Sequence, residues 1–395
     1  MSPVPGQEGP PGSFEERAAQ WFLELAFFRD LVVRNPPSKG GKGELADAVV
    51  LCSDSAILVQ VKTQDSDRPP LEWARKELPL ALKQLRHTRR MLVDGHVLRL
   101  KSETVGEMTF DTKRHTAIYG VIVLAQPAEP YSAEDAAPEL SEETFPVHVL
   151  SLADFCRVAE LFDTAGDFIH YLDVRLALRG ALKYLVHDEA ASLEGISARA
   201  EELFKVWRPD MPSEILERSI RAFRARTSGE LRRSPDFGYG QLFDDIISRL
   251  HDQDPDLRYR IETGSSGVLR IIEQLSLYTR DRRIALGKRM ASSCRNASGG
   301  SDSYWCTFRR PLGTVFTFLA SGEAREKRIE YLEALARVAQ AKYDAERVIG
   351  VATEPIGGGR SYDVLYAEGT LEDSLRQQLL EHGDPFGDDA GQLVP

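Results

Sequence analysis

Three polar groups are set into two apolar runs. Asp47 stands in Leu45-Ala46-Asp47-Ala48-Val49-Val50-Leu51-Cys52, and Gln60 and Lys62 end the run Ala56-Ile57-Leu58-Val59-Gln60-Val61-Lys62. The polar link Ser53-Asp54-Ser55 makes the pair of runs read as a β-hairpin. Side chains two apart share a strand face, so Gln60 and Lys62 point together and antiparallel pairing brings Asp47 beside them. A carboxylate, an amide and an ammonium then meet in surroundings where an uncompensated charge is costly. Two compensations are open. One is structural, an Asp47–Lys62 ion pair at the end of the hairpin. The other is a divalent cation held by Asp47 and by oxygens from Gln60 and the backbone, the hard donors that Mg²⁺ takes, with Lys62 facing a phosphate.

This pattern resembles the PD-(D/E)xK nuclease superfamily, and within it the Mrr-like restriction endonuclease branch, where Gln commonly replaces the second acidic residue. The resemblance spans about residues 14 to 125. It implies that Asp47 binds the metal, that Gln60 occupies the second ligand position, and that Lys62 activates water or stabilises the reacting phosphate. It further implies Mg²⁺ or Mn²⁺ as cofactor, phosphodiester hydrolysis in DNA (RNA remains open) and a role in defence against foreign DNA. Two departures stand out: no proline precedes Asp47, and Gln60 is neutral, which leaves one negative charge fewer for the cation. An additional carboxylate would offset this. Glu44 is nearest, though strand alternation puts it on the opposite face from Asp47 unless the chain bends at Gly43. Glu16 is where related nucleases often place theirs, yet Ser13 and Glu16 also read as a capping box opening a helix over residues 14 to 30.

The elements around these residues read as α/β, a restriction-endonuclease-like mixed sheet flanked by helices. The loop Lys39-Gly40-Gly41-Lys42-Gly43 precedes a strand and runs into Glu44, so it is no Walker-type phosphate loop; it reads as a flexible connector or a lid carrying Lys42. A helix over 71–93 bears Arg75, Lys76, Lys83, Arg86, His87, Arg89 and Arg90. Family topology places that helix near the site, so Arg75, Lys83, Gln84, Arg86, Arg89 and Arg90 are candidate contacts to a phosphate backbone, against the plainer reading of a solvated face. Strands over 115–124 and 147–150 and helices over 152–162 and 168–181 complete the layer order, while residues 129–143, rich in Asp and Glu, read as an exposed acidic loop.

The 395 residues exceed one ordinary core. The boundaries read as a disordered leader 1–12, the nuclease-like domain 13–187, a helical region 188–300, a small α/β unit 301–382 and an acidic tail 383–395. Helices are expected over 198–206, 213–227, 239–251 and 268–293; Arg218, Arg221 and Arg224 share a drifting face of the second. The last unit reads as strands over 305–309, 314–319, 348–353 and 362–366 with a helix over 325–343, and the C-terminal half suits target sensing, homodimer formation or binding of a partner protein. A net charge of −11 argues against a protein that coats DNA with its whole surface but not against one with a single basic groove. Cys52, Cys156, Cys294 and Cys306 form no C-x-x-C pair, as expected of reduced thiols in a cytoplasmic protein. There is no membrane-length apolar run or signal-peptide core, no H-E-x-x-H, and no Gly-x-Ser-x-Gly. A competing reading keeps the fold but makes it an inactive binding scaffold, with Gln60 marking a lost metal ligand.

Overall fold

In the computed structural model, described residues run from 13 to 381, except 37–43, 65–67, 96–98, 103–105, 127–129, 142, 144, 178–184, 187, 199–200, 202–212, 253–265, 298–302, 310–312 and 356–361. The leader, the acidic tail and Lys42 with its glycine loop therefore lie outside them, as does the helix expected over 198–206 in all but two of its positions. The chain divides into two compact units, 1–230 and 231–395. The helical stretch 188–300 is thus shared between the units.

The first unit opens with α1 (Phe14–Phe27), begun by the capping box read in the sequence: Ser13 Oγ accepts from the Glu16 amide, and Glu16 answers the Ser13 amide. The hairpin follows as β2 (Ala48–Cys52) and β3 (Ser55–Thr63), with β1 (Val32–Arg34) against the outer side of β2. Its turn is Ser53-Asp54, with Ser53 in the left-handed region at φ 57°. Helix α2 (Pro70–Val93) leads, after the small hairpin β4 (Arg99–Ser102) and β5 (Gly106–Thr109), to β6 (Ala117–Ala125), which pairs with β3 in parallel.

β7 (Tyr131–Ser132) and α3 (Ala133–Ala136) lie where an exposed acidic loop was expected. The expectation fails because the segment's small and apolar residues, Ala133, Ala136, Ala137 and Leu140, are buried, while of its acids Asp135 is exposed and Glu134 and Glu139 are half-buried. β8 (Val147–Ser151) then pairs with β6 in parallel, giving the five-stranded mixed sheet β1-β2-β3-β6-β8. α4 (Leu152–Leu161) and α5 (Ala165–Ala177) follow, then β9 (Leu185–Val186), α6 (Glu189–Ala198) and α7 (Ser213–Thr227). α7 is fastened to α5 by the buried ion pair Arg226–Asp167 at 3.0 Å and by Phe223, which packs on Phe162 and His170.

The second unit contains α8 (Phe237–Asp252), α9 (Ser266–Ser276) and α10 (Arg280–Ala297). The single helix expected over 268–293 is broken between Ser276 and Arg280. Arg283 holds the break: its guanidinium donates to the Tyr278 carbonyl at 2.9 Å and the Ser276 carbonyl at 2.8 Å and pairs with Asp244 of α8. Helices α8 and α10 touch backbone to side at Gly287, where a Cβ would stand 2.0 Å from the Tyr239 carbonyl oxygen. A four-stranded sheet follows in the order β10 (Ser303–Arg309), β11 (Thr314–Ser321), β12 (Arg347–Thr353), β13 (Tyr362–Glu368). α11 (Arg325–Tyr343) crosses over between the parallel strands β11 and β12 and buries its apolar face on them, and α12 (Asp373–Glu381) closes the unit. No helix of the described residues is long and apolar enough to cross a membrane.

Candidate metal centre

Asp47 sits one residue before β2, and the hairpin register, Ala48 against Val59, sets it opposite Gln60. The ladder continues one step further through Asp47 N donating to the Val59 carbonyl at 3.1 Å. The carboxylate turns inward and is 7% exposed. Its Oδ2 accepts two hydrogen bonds, from Gln60 Nε2 at 2.7 Å and from the Val61 amide at 2.5 Å. An ionised carboxylate only accepts, so the Gln60 amide must offer its nitrogen here. Neither Asp47 Oδ1 nor Gln60 Oε1 has a hydrogen-bond partner among the described residues.

Burial raises the Asp47 carboxyl from an ordinary 3.8 to about 6; the Val61 amide lowers it, Glu16 raises it, Lys62 lowers it and Glu44 raises it. Both acids and the lysine are therefore near enough to act on Asp47. Glu16 acts more strongly than Glu44 and is partly buried, whereas Glu44 is exposed. Lys62, half-buried on the strand face it shares with Gln60, forms no ion pair among the described residues. The Asp47–Lys62 ion pair that would have explained these residues structurally is not formed.

The folded carboxyl titrates above its unfolded value, so the fold binds more protons than the unfolded chain between about pH 4 and 6. Stability of the metal-free protein accordingly falls as pH rises through that window. Asp47→Asn, which still accepts from Val61 and Gln60, is expected to stabilise the metal-free protein at pH 7 by about 1–3 kcal/mol and to leave it unchanged near pH 4. Urea unfolding at the two pH values measures this; an equal difference at both would show that the buried charge is not the cause.

The donor set suits a hard cation with few protein ligands. One carboxylate oxygen and one amide oxygen are open, and Mg²⁺ commonly takes only one or two carboxylates and completes its shell with water and substrate phosphate. Among the described residues no cluster of three or more His, Cys, Asp or Glu side chains could hold a metal by itself.

The sequence did not point to Gln20 and Asn35, and it marked Ser13 only as a helix cap. Gln20 of α1 donates from one nitrogen to the Asp47 carbonyl at 2.9 Å and to Asn35 Oδ1 at 3.0 Å. The Asn35 amide donates to the same carbonyl at 3.0 Å. Ser13 Oγ lies 3.3 Å from Thr63 Oγ1, next to Lys62. The only available sign was that Glu16 and Gln20 are four apart and so share a face of their helix.

The basic helix α2 is split. Arg86 pairs with Glu143 at 2.5 Å, Arg75 donates to the Asp135 carbonyl at 3.3 Å, and Arg89 stacks on Phe145 at 5.4 Å. These three cations are engaged by the segment that follows β6. Lys83, Gln84 and Arg90 are exposed, and Lys83 and Arg90 have no ion-pair partner among the described residues. The buried face of α2 reaches the site's own strand entry, where Thr88 Oγ1 donates to the Leu45 carbonyl.

Compared with protein-family models, curated proteins and solved structures, the chain matches none.

Proposed function

We propose that the first unit is a metal-dependent nuclease that hydrolyses phosphodiester bonds in DNA, with Asp47 and Gln60 holding Mg²⁺ or Mn²⁺. The observation that carries the reading is the buried Asp47 carboxylate with one oxygen open, beside the open Gln60 oxygen and a lysine with no ion-pair partner. The order α1, β1, β2, β3, α2, β6, with β3 and β6 parallel, supports it as an arrangement in keeping with a restriction-endonuclease-like core.

Each residue has a task. The Val61 amide and Gln60 Nε2 fix Asp47 Oδ2, so the remaining oxygen is presented in one direction. Of the two candidate acids, Glu16 is preferred as the carboxylate that completes the charge, because it lies beside the site through the helix cap while Glu44 is exposed. A divalent cation bound here would polarise the scissile phosphate and lower the pKa of the attacking water. Lys62 orients that water and offsets the charge that develops on the phosphate. The exposed Lys83, Gln84 and Arg90 are the α2 residues we assign to the backbone of the substrate, since Arg75, Arg86 and Arg89 are engaged by the segment after β6.

The test is a time course with supercoiled plasmid, linear duplex and single-stranded DNA in Mg²⁺ or Mn²⁺, with and without chelator. Metal-dependent cleavage is expected. No cleavage of any form in either metal would move the reading to an inactive scaffold. Defence against foreign DNA and a homodimer that cuts both strands belong to the same proposal.

A further inference from the structure

Gln20 makes an unusual pair of contacts for a side chain on the second turn of a helix. It is 5% exposed, and its amide nitrogen bridges the Asp47 carbonyl and Asn35 Oδ1. The Asp47 carbonyl takes a second bond from the Asn35 amide, and Asn35 itself adopts the left-handed region at φ 42°, which asparagine tolerates better than most residues. Asp47 is thus held at every backbone polar group: its amide by Val59 and its carbonyl by Asn35 and Gln20. The register of the hairpin supplies the first of these. The other two come from outside the hairpin, one from the turn after β1 and one from α1.

From this geometry we infer that Gln20 is the positioning residue of the metal centre, locking Asp47 to α1 so that its open oxygen and the Glu16 carboxylate are held at a fixed separation. Gln20 and Glu16 stand one turn apart on α1, so the bond that fixes Asp47 also fixes where Glu16 can reach. The helix is also tied to β3 at its N-cap, where Ser13 Oγ meets Thr63 Oγ1 at 3.3 Å. α1 is therefore pinned at both ends of the site, beside Asp47 and beside Lys62. The inference rests on the metal-site reading given above. Outer partners of this kind orient the ligands they touch and tune affinity without contacting the ion.

Titration of Mn²⁺ into the full chain, by calorimetry and by the loss of the free-ion electron paramagnetic resonance signal, tests it with four proteins: wild type, Asp47→Ala, Gln20→Met and Leu23→Ala. Gln20→Met keeps the length of the side chain but has no donor. Leu23→Ala removes a buried apolar side chain from the same helix and loosens its packing without touching Asp47. The expected result is a site in the wild type that Asp47→Ala abolishes, an affinity about 10- to 100-fold weaker in Gln20→Met, and wild-type affinity in Leu23→Ala below its melting temperature. Unchanged affinity in Gln20→Met, with binding lost in Asp47→Ala, overturns the positioning role alone. Equal weakening in Gln20→Met and Leu23→Ala assigns Gln20 to general helix packing and also overturns it. A wild type that binds no Mn²⁺ overturns the metal-site reading and this inference with it. Should Gln20→Met fail to fold, Asn35→Ala removes the second acceptor of the same amide, and the prediction is a smaller loss of affinity in the same direction.

Discussion

Lys62→Ala is expected to lower the rate of DNA cleavage by about 10²- to 10³-fold, the loss that follows removal of one group aimed at developing charge, while leaving the fold and Mn²⁺ binding intact. The reason lies in how little else Lys62 does. It forms no ion pair among the described residues and is the last residue but one of β3, at the end away from the hairpin turn and half-buried. Its removal costs no buried partner. Asp47→Ala should also abolish cleavage, but through loss of the metal, so the two variants separate in a Mn²⁺ titration. A Lys62→Ala protein that cuts as fast as wild type would exclude Lys62 from the reaction. Lys62→Arg keeps the charge but spreads it over a planar group that cannot take the ammonium's position, and recovers only part of the rate.

The largest stability effect is expected at Arg226. Arg226→Met leaves the Asp167 carboxylate, wholly buried, facing an apolar side chain. Breaking a buried ion pair from one side costs about 3–5 kcal/mol, which in a unit of this size lowers the melting temperature by on the order of 10 °C. Asp167 also accepts from the Thr164 hydroxyl at 2.8 Å, so Asn at 167 retains a role there. The double variant Asp167→Asn/Arg226→Met is therefore expected to recover most of the loss. Thermal unfolding of the two variants beside the wild type decides the matter. A single Arg226→Met variant within 1 kcal/mol of wild type, as about the error of such a comparison, would mean that the pair does not hold α7 to its unit.

What the sequence revealed depended on how local the signal was. The hairpin β2–β3 was legible because its strands are apolar, adjacent and joined by a polar turn, and α1 because Ser13 and Glu16 form a complete capping box. Helices over 213–227 and 325–343 were read to their ends for the same reason, since Gly, Ser and Asp mark the breaks. The failures involve distant partners. The segment 131–140 was read by its acids, but its structure is decided by small residues buried against other parts of the unit, which have no period to betray them. The break after Ser276 is maintained by Arg283, whose guanidinium takes carbonyls that a continuous helix would have used itself. At the site, Asp47, Gln60 and Lys62 were visible as polar residues in apolar strands. Gln20 was not, because its partner Asp47 lies 27 residues away and a glutamine on an amphipathic helix carries no mark of it. The direction of the Gln60 amide, and with it the absence of an Asp47–Lys62 pair, likewise required coordinates.

The polar groups of the candidate centre all come from the stretch between Ser13 and Thr63, so during synthesis they leave the ribosome as one contiguous piece, ahead of β6. A hairpin alone in water is only marginally stable, and β3 acquires its second neighbour only when β6 has been made, after the whole of α2. The groups that would bind metal are thus present well before the strand that makes their geometry permanent. A nascent chain stopped before β6 would carry all of these residues yet lack the sheet neighbour that holds β3 in place.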